Sequence, residues 1–305
     1  MVQSISKVPN ETNEADVWLD MARAQINETL RSLIPAAHIW PQDLHAAQHH
    51  ALMAPGKRFR PLLCLAISQG LGFTDKQTVL RIGAVAEMIH TASLILDDLP
   101  CMDDADIRRG LPTIHKVYSE STAILAATNL LNRAFGITAR THSLTPKQCV
   151  AISDSLAASV GSDGLIAGQV ADLSNSDMSI STVKVERVNA LKTGALFDFT
   201  VNAAAIMGNA NPTQHKALMQ FSKQIGLAFQ LLDDLKDEVL SEQQSQKTTG
   251  RDIGKATLLA LEGNKKAIMR LKDYMAVAKS SLHEANLLNE SLIAHVIEQQ
   301  FKLSV

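Results

Sequence analysis

Between residues 75 and 106 the sequence turns from an apolar helix into a burst of acid. Val79, Ile82, Val85, Ala86, Ile89 and Ser93 recur close to the 3.6-residue helical period. Asp75 stands where an N-cap belongs, and Pro100 should end or kink the run, so the pattern predicts one long helix over 75–98. Asp97, Asp98, Asp103, Asp104 and Asp106 follow at once. Carboxylates at a helix C-terminus oppose its dipole, and carboxylates this close raise one another's pKa unless cations neutralise them. Such a segment is either a solvated acidic loop or a holder of hard divalent cations. Mg²⁺ is the natural ion, with a substrate phosphate completing its shell.

The rest of the chain supplies helices to surround this one. Among its 305 residues, 46% are hydrophobic and only 4% aromatic, too few aromatics for a typical sandwich or barrel. Helical stretches are predicted over 14–33, 42–53, 119–142, 147–173, 180–208, 213–240, 256–280 and 284–302, with Pro61 in the first turn of another. No repeat or linker divides them. The expected fold is therefore all-α, a single domain over 1–305, with residues 1–13 frayed and the polar stretch 241–254 a candidate lid.

Basic and acidic residues nearly cancel at a net charge of -2, which excludes a globally basic nucleic-acid binder. No basic segment followed by an apolar run opens the chain, and no unbroken apolar stretch of the length of a membrane span occurs. Cys64, Cys101 and Cys149 are odd in number and widely spaced. A disulfide framework is not expected, and a cytoplasmic location without a membrane span is.

A second acidic cluster, Asp233, Asp234 and Asp237, follows an apolar helical run. Asp233 and Asp237 are one turn apart on one face. Alone they read equally as an exposed polar face beside Lys236. Paired with the first cluster across a bundle, they could hold a metal–phosphate group between two helices. Basic residues accompany both clusters: Arg108 and Arg109 after the first, Lys57, Arg58 and Arg60 between two prolines, Lys192 in a Lys-Thr-Gly triplet, and Lys247 and Lys255 flanking the polar loop. They suit phosphate, although each could be a surface cation and Arg108–Arg109 a charge-balancing pair. His90 could be a satisfied core histidine.

GKRFRP at 56–61, IHTASLILDDLPCMDDADIRRG at 89–110, KTG at 192–194, FQLLDDLKD at 229–237 and GKAT at 254–257 occur in this order. The chain thereby resembles the trans-isoprenyl diphosphate synthases, the polyprenyl synthetase family that includes farnesyl and geranylgeranyl diphosphate synthases. The resemblance implies the isoprenoid synthase fold, a bundle of about ten or more helices around a deep central cavity, and a homodimer. It implies a prenyltransferase that ionises an allylic diphosphate and couples the cation to isopentenyl diphosphate. By that resemblance Asp97, Asp98, Asp103, Asp233, Asp234 and Asp237 hold Mg²⁺, three ions per site. Arg108, Lys192, Lys247 and Lys255 contact the allylic diphosphate. Lys57, Arg60, His90 and Arg109 bind isopentenyl diphosphate, and Thr193 and Gln230 turn oxygens toward the cation.

In this family the growing tail runs down a pocket beside the helix before the first motif. Ala92 and Ser93 are small where farnesyl-producing relatives usually carry an aromatic ring, and Met88 lies lower down. Ala92 and Ser93, with the lengthened first motif around Pro100 and Cys101, lean toward a C20 product over C15, whereas Met88 and Val85 are positions that could close the pocket lower down. Leu96, the segment 126–131 and a short loop between Lys247 and Lys255 depart from the family pattern. A terpene cyclase would replace the second aspartate cluster, and a regulatory subunit would normally have lost aspartates; both clusters are complete here.

Overall fold

The computed structural model describes residues 14–174, 180–239 and 257–301. The first 13 residues, the candidate lid 241–254, Lys247 and Lys255 lie outside the described residues. Within them the chain is almost wholly helical: α1 Glu14–Ser32, α2 Gln42–Met53, α3 Phe59–Gly70, α4 Lys76–Asp97, α5 Ile114–Val117, α6 Glu120–Ala139, α7 Pro146–Val160, α8 Leu165–Leu173, α9 Thr182–Asn189, α10 Ala195–Met207, α11 Pro212–Val239, α12 Leu258–Glu262, α13 Asn264–Glu284 and α14 Glu290–Phe301.

The long helix is α4. Asp75 caps it, accepting from the Thr78 backbone N–H. The expected apolar stripe is wider than the spacing suggests, because Val79, Ile82, Val85, Met88, Ile89 and Ala92 are all essentially inaccessible. A helix buried on nearly every side belongs at the centre of a bundle. Helices α1, α2, α3, α6 and α10 pack around α4, and α10 in turn packs against α3, α7 and α11. Alanines at 123, 126 and 127 of α6 and at 203, 204 and 205 of α10 are buried at these seams, where small side chains let backbones approach. Burying one Leu or Ile in such a core stabilises the fold by roughly 1.5–3 kcal/mol. A smaller apolar cluster (Leu227, Leu231, Leu235, Leu258, Leu271) joins α11, α12 and α13.

Helix ends follow local chemistry. Thr145 and Gln148 form a capping box around Pro146 at the start of α7. Three expected helices are broken. The stretch 147–173 splits into α7 and α8 at the turn over 161–164, where glycines bracket Ser162 and Asp163. The stretch 180–208 contains a π-helical turn, Ala190–Gly194, between α9 and α10. Gly263, at φ +77°, separates α12 from α13. Two segments are long and apolar enough to cross a membrane by composition, Lys76–Asp97 and Pro146–Leu173. The first is the central helix α4, and the second is α7 and α8 together, interrupted by that turn.

The one two-stranded element among the described residues is a hairpin just after the acid cluster, β1 (Ile107–Arg108) against β2 (Leu111–Pro112). Its turn residues Arg109 and Gly110 both have positive φ, 55° and 76°, as a tight two-residue hairpin turn requires. Composition carried no signal for so short a hairpin, yet it aims two arginines at the end of α4.

Candidate active site

The C-terminal parts of α4 and α11 face one another across a cavity of about 200 Å³. His90, Ser93, Leu94 and Asp97 line it from α4. Their spacing of i, i+3, i+4 and i+7 is one helical face. His90 and Asp97 are two turns apart, about 10.5 Å along the axis. From α11 come Phe229, Gln230, Asp233, Asp234 and Asp237, and Asp103 reaches in from the loop after α4.

In each aspartate pair the second member is buried and held by a side-chain donor. Asp97 and Asp233 line the cavity; Asp98 is buried behind it, and Asp234, although buried, keeps an edge in the cavity wall. Arg108 Nε and Nη2 both donate to Asp98 Oδ1, at 2.9 and 2.6 Å. Gln230 Nε2 donates to Asp234 Oδ1 at 2.8 Å. The charge-balancing reading of Arg108 is thus realised at Asp98, and Arg108 still lines the cavity. Asp104 and Asp106 are exposed, and Asp106 pairs with Lys116 at 2.8 Å outside the site.

Burial, with Asp103 and Asp98 adding repulsion against the pull of Lys192 and Arg108, raises Asp97 to about 6. Burial likewise raises Asp98 against the pull of Arg108. These carboxylates therefore sit where positive charge is in deficit. All the donors are hard oxygens on two facing elements, which fits Mg²⁺. No three carboxylate, imidazole or thiol groups among the described residues converge into a closed metal site. A cation there needs oxygens from water or a phosphate ligand to complete its shell, as Mg²⁺ commonly does.

Two clusters of basic residues flank the carboxylates. Lys192 Nζ donates to Asp172 Oδ2 at 2.7 Å. It lies in the π-helical turn, which is clamped on both sides. A Cβ on Gly168 of α8 would stand 2.2 Å from the Lys192 backbone nitrogen, and one on Gly226 of α11 would stand 2.8 Å from Gly194 Cα. Only hydrogen at both positions lets α8 and α11 close on this turn. Thr193 Oγ1 donates to Gln230 Oε1 at 2.6 Å. With the Gln230–Asp234 bond this makes a hydrogen-bonded chain of three side chains that all line the cavity.

At the other end, Arg60 is buried at 6% exposure, and its Nε has no hydrogen-bond partner. Its guanidinium carbon lies 4.5 Å from the Phe197 ring centroid and 5.5 Å from that of Phe229. Burial, with Arg109 nearby and Glu87 opposing, lowers it to about 10. Such a cation is prepared for an anion. His90 is partly exposed to the cavity; desolvation and the surrounding arginines hold it well below its ordinary pKa, hence neutral, and Arg109 Nη2 lies 3.2 Å from its Nε2. His90 is thus neither a bare ligand nor an isolated core histidine. Lys57 is depressed by burial and by Arg23, with Asp233 pulling the other way.

Of the three residues expected in the chain-length pocket, Ser93 lines the cavity with Leu94, Leu165 and Leu196. Ala92 and Met88 instead have no accessible surface and pack into the core. The helix turns them away, since only 90, 93, 94 and 97 share the cavity face. The sequence reading passed over Gln169 and Asp172, both in the cavity wall. Their signal was available: two polar residues three apart in the apolar run of α8.

The family described as polyprenyl synthetase matches residues 41–289. A geranylgeranyl diphosphate synthase of Pantoea ananas is 41% identical over 264 residues, covering 86% of each chain. An FPP/GFPP synthase from Zymomonas mobilis, 31% identical, superposes with a TM-score of 0.84 over 95% of this chain and 99% of its own. A geranyltransferase from Helicobacter pylori, solved in complex with magnesium and isoprenyl diphosphate, superposes with a TM-score of 0.80 at 26% identity, over 98% of both chains. A shared fold, sequence identity spread over most of the chain and a matching family profile agree with the facing aspartate clusters, and the chain belongs to the polyprenyl synthetase family.

Proposed function

We propose that this protein is a short-chain all-trans prenyltransferase that elongates an allylic diphosphate with isopentenyl diphosphate and ends at the C20 product, geranylgeranyl diphosphate. The observation that carries the chemistry is the pair of carboxylate faces on α4 and α11 with Lys192, Arg108 and Arg60 in the walls of the same cavity. One cluster, Lys192 and Arg108, flanks the aspartates and suits the allylic diphosphate. The other, Lys57, Arg60 and Arg109 with neutral His90, suits isopentenyl diphosphate.

Asp97, Asp98, Asp103, Asp233, Asp234 and Asp237 are the residues we assign to Mg²⁺, three ions per site. Asp97, Asp103, Asp233, Asp234 and Asp237 line the cavity, and Asp98 acts from behind. When bound, Mg²⁺ supplies the positive charge that stabilises the departing diphosphate. Lys192 and Arg108 hold that leaving group in place as the C–O bond breaks. Thr193 and Gln230, held by their mutual hydrogen bond, present oxygens to the allylic cation. Leu94, Leu165, Leu196 and Phe229 exclude the water that would quench it. The isopentenyl double bond attacks the cation, a C–C bond forms, and the proton released passes to the departed diphosphate. Lys247 and Lys255 complete the allylic site in this reading.

The small side chain of Ser93 and the naming of the Pantoea relative support C20. One observation favours the C15 alternative. The cavity of about 200 Å³ is below the 300–1,000 Å³ usual for ligand sites, and leucines narrow it. Incubating the protein with Mg²⁺, isopentenyl diphosphate and dimethylallyl, geranyl or farnesyl diphosphate, then sizing the dephosphorylated products, decides between them. A C20 alcohol supports the reading, a C15 alcohol moves the product assignment, and no elongation from folded protein refutes the chemistry.

We also assign the protein to the cytoplasm as a homodimer. The support for a dimer is the exposed apolar face of α6, where Leu125 is 61% and Ile124 is 44% accessible, beside a groove that also involves Pro41 and Leu44. Leu125→Glu should shift the sedimentation coefficient to that of a monomer if α6 is the interface.

A further inference from the structure

Glu87 takes no part in the chemistry above, yet Arg58 and Arg109 both meet it beside the isopentenyl diphosphate subsite. It lies in α4, three residues before His90, at 2% exposure in an otherwise apolar part of the helix. Its Oε1 accepts from Arg58 Nη1 at 2.9 Å and stands 3.9 Å from Arg109 Nη2. Its charge also opposes the depression of Arg60.

The two arginines arrive by unusual routes. Arg58 and Arg109 are both in the left-handed region, at φ 51° and 55°. Non-glycine residues persist there only where the surroundings over-determine them, and such strain gathers at functional sites. Arg58 is consumed by the protein itself: Nε donates to Asn27 Oδ1 at 2.8 Å, and Nη2 to the carbonyls of Leu52 and Ala54 at 2.8 and 3.1 Å. It is a strut, not a phosphate ligand. Arg109, in contrast, reaches His90. Between them lies Gly56, the residue before Lys57. A Cβ there would come within 3.2 Å of Arg109 Nη1 and 3.4 Å of Arg58 Nη1, so the loop backbone rests directly on both guanidinium groups.

We propose that Glu87 is the positioning residue of the isopentenyl diphosphate subsite: through Arg58 it anchors the loop that carries Lys57, and through Arg109 it sets the guanidinium that reaches His90. It touches no substrate. The inference rests on the assignment of Lys57, Arg60, His90 and Arg109 to that diphosphate, and it adds the single acid that registers two separate chain segments to one another.

Steady-state kinetics with each substrate varied in turn, on Glu87→Gln, Glu87→Asp and Gly56→Ala, test it. Glutamine keeps the shape and removes the charge. The KM for isopentenyl diphosphate should rise about tenfold or more, as expected when a charge-assisted contact is lost, while that for the allylic diphosphate stays within about twofold. Glu87→Asp keeps the charge and should recover part of the loss. Gly56→Ala leaves the buried acid intact but pushes on the Arg109 guanidinium. It should raise the same KM by about threefold, with an unchanged melting temperature. Equal losses for both substrates, or a loss in kcat alone, would mean that Glu87 merely holds the fold, and the inference would fall. If Glu87→Gln does not fold, Gly56→Ala decides: an unchanged isopentenyl diphosphate KM overturns the inference. Wild-type protein that elongates no starter defeats the functional reading instead, a result distinct from any of these.

Discussion

Arg60→Met should make the protein more stable and worse at its work. Arg60 is buried and stacked on Phe197 and Phe229, and burial lowers it from the ordinary arginine value to about 10. A shift of that size corresponds to about 3 kcal/mol of unfavourable charge burial. The sign follows from linkage. A cation whose folded pKa is depressed destabilises the fold fully below that pKa, and the effect disappears as pH rises from about 10 to the ordinary arginine value. At neutral pH the whole amount is present. Methionine has a similar length and no charge, so it removes this term and forfeits a cation–π contribution of about 0.5–2 kcal/mol. The net expectation is a gain on the order of 1–2 kcal/mol, or about 2–6 °C in Tm for a chain of this size. Binding moves the other way. Losing a charge-assisted contact to a diphosphate is worth about 1.5–3 kcal/mol, a rise in the isopentenyl diphosphate KM of roughly 10- to 150-fold. Differential scanning calorimetry and initial-rate kinetics on the same preparation read both. A lower Tm with an unchanged KM would refute the reasoning, because Arg60 would then be an ordinary structural cation.

The remaining predictions concern metal, product length and pH. Asp97→Ala and Asp233→Ala should each lower turnover by a factor on the order of 100 or more without loss of helical circular dichroism, and a chelator should abolish activity that excess Mg²⁺ restores; near-normal turnover in either variant would unseat the metal assignment. Ser93→Tyr should shorten the main product, since Ser93 lines the cavity. Ala92→Tyr should instead destabilise the core by about 1–3 kcal/mol or more through overpacking; a shorter product from Ala92→Tyr with Ser93→Tyr unchanged would reverse the assignment of the wall. Asp198 is raised by burial, against a hydrogen bond from Ser222 and the charge of Lys223. An acid raised in the folded state loses stability as pH climbs from its ordinary value through the raised one. Asp198→Asn should therefore raise Tm near pH 7 and leave it unchanged near pH 3, as thermal melts at the two pH values can show.

Fold class and much of the site were legible in the chain because their signals are local. Asp75, the apolar spacing after it and Pro100 define α4, since capping and periodicity act within a few residues. The two aspartate clusters announce themselves by mutual repulsion that only burial with cations or full solvation can relieve. What the residue pattern missed is non-local. The stripe from Val79 to Ser93 does not say that α4 is surrounded, and Ala92 and Ser93 are neighbours in sequence yet face the core and the cavity. Gly168 and Gly226 look unremarkable until α8 and α11 close on the π-helical turn. Helix breaks at 161–164 and at Gly263 lie within amphipathic runs that periodicity alone joins.

The sequence by itself determined an all-helical bundle, its two acidic clusters and the order of its basic motifs, because propensity, capping and charge repulsion are set by near neighbours. Only the tertiary structure decided that Asp98 sits behind the cavity that Asp97, Asp233 and Asp234 line, that Asp172 holds Lys192, and that Arg58 and Arg109 share Glu87 while Arg60 forms no ion pair among the described residues. Those assignments depend on which side chains lose water together, and that is fixed by helix packing between residues distant in the chain.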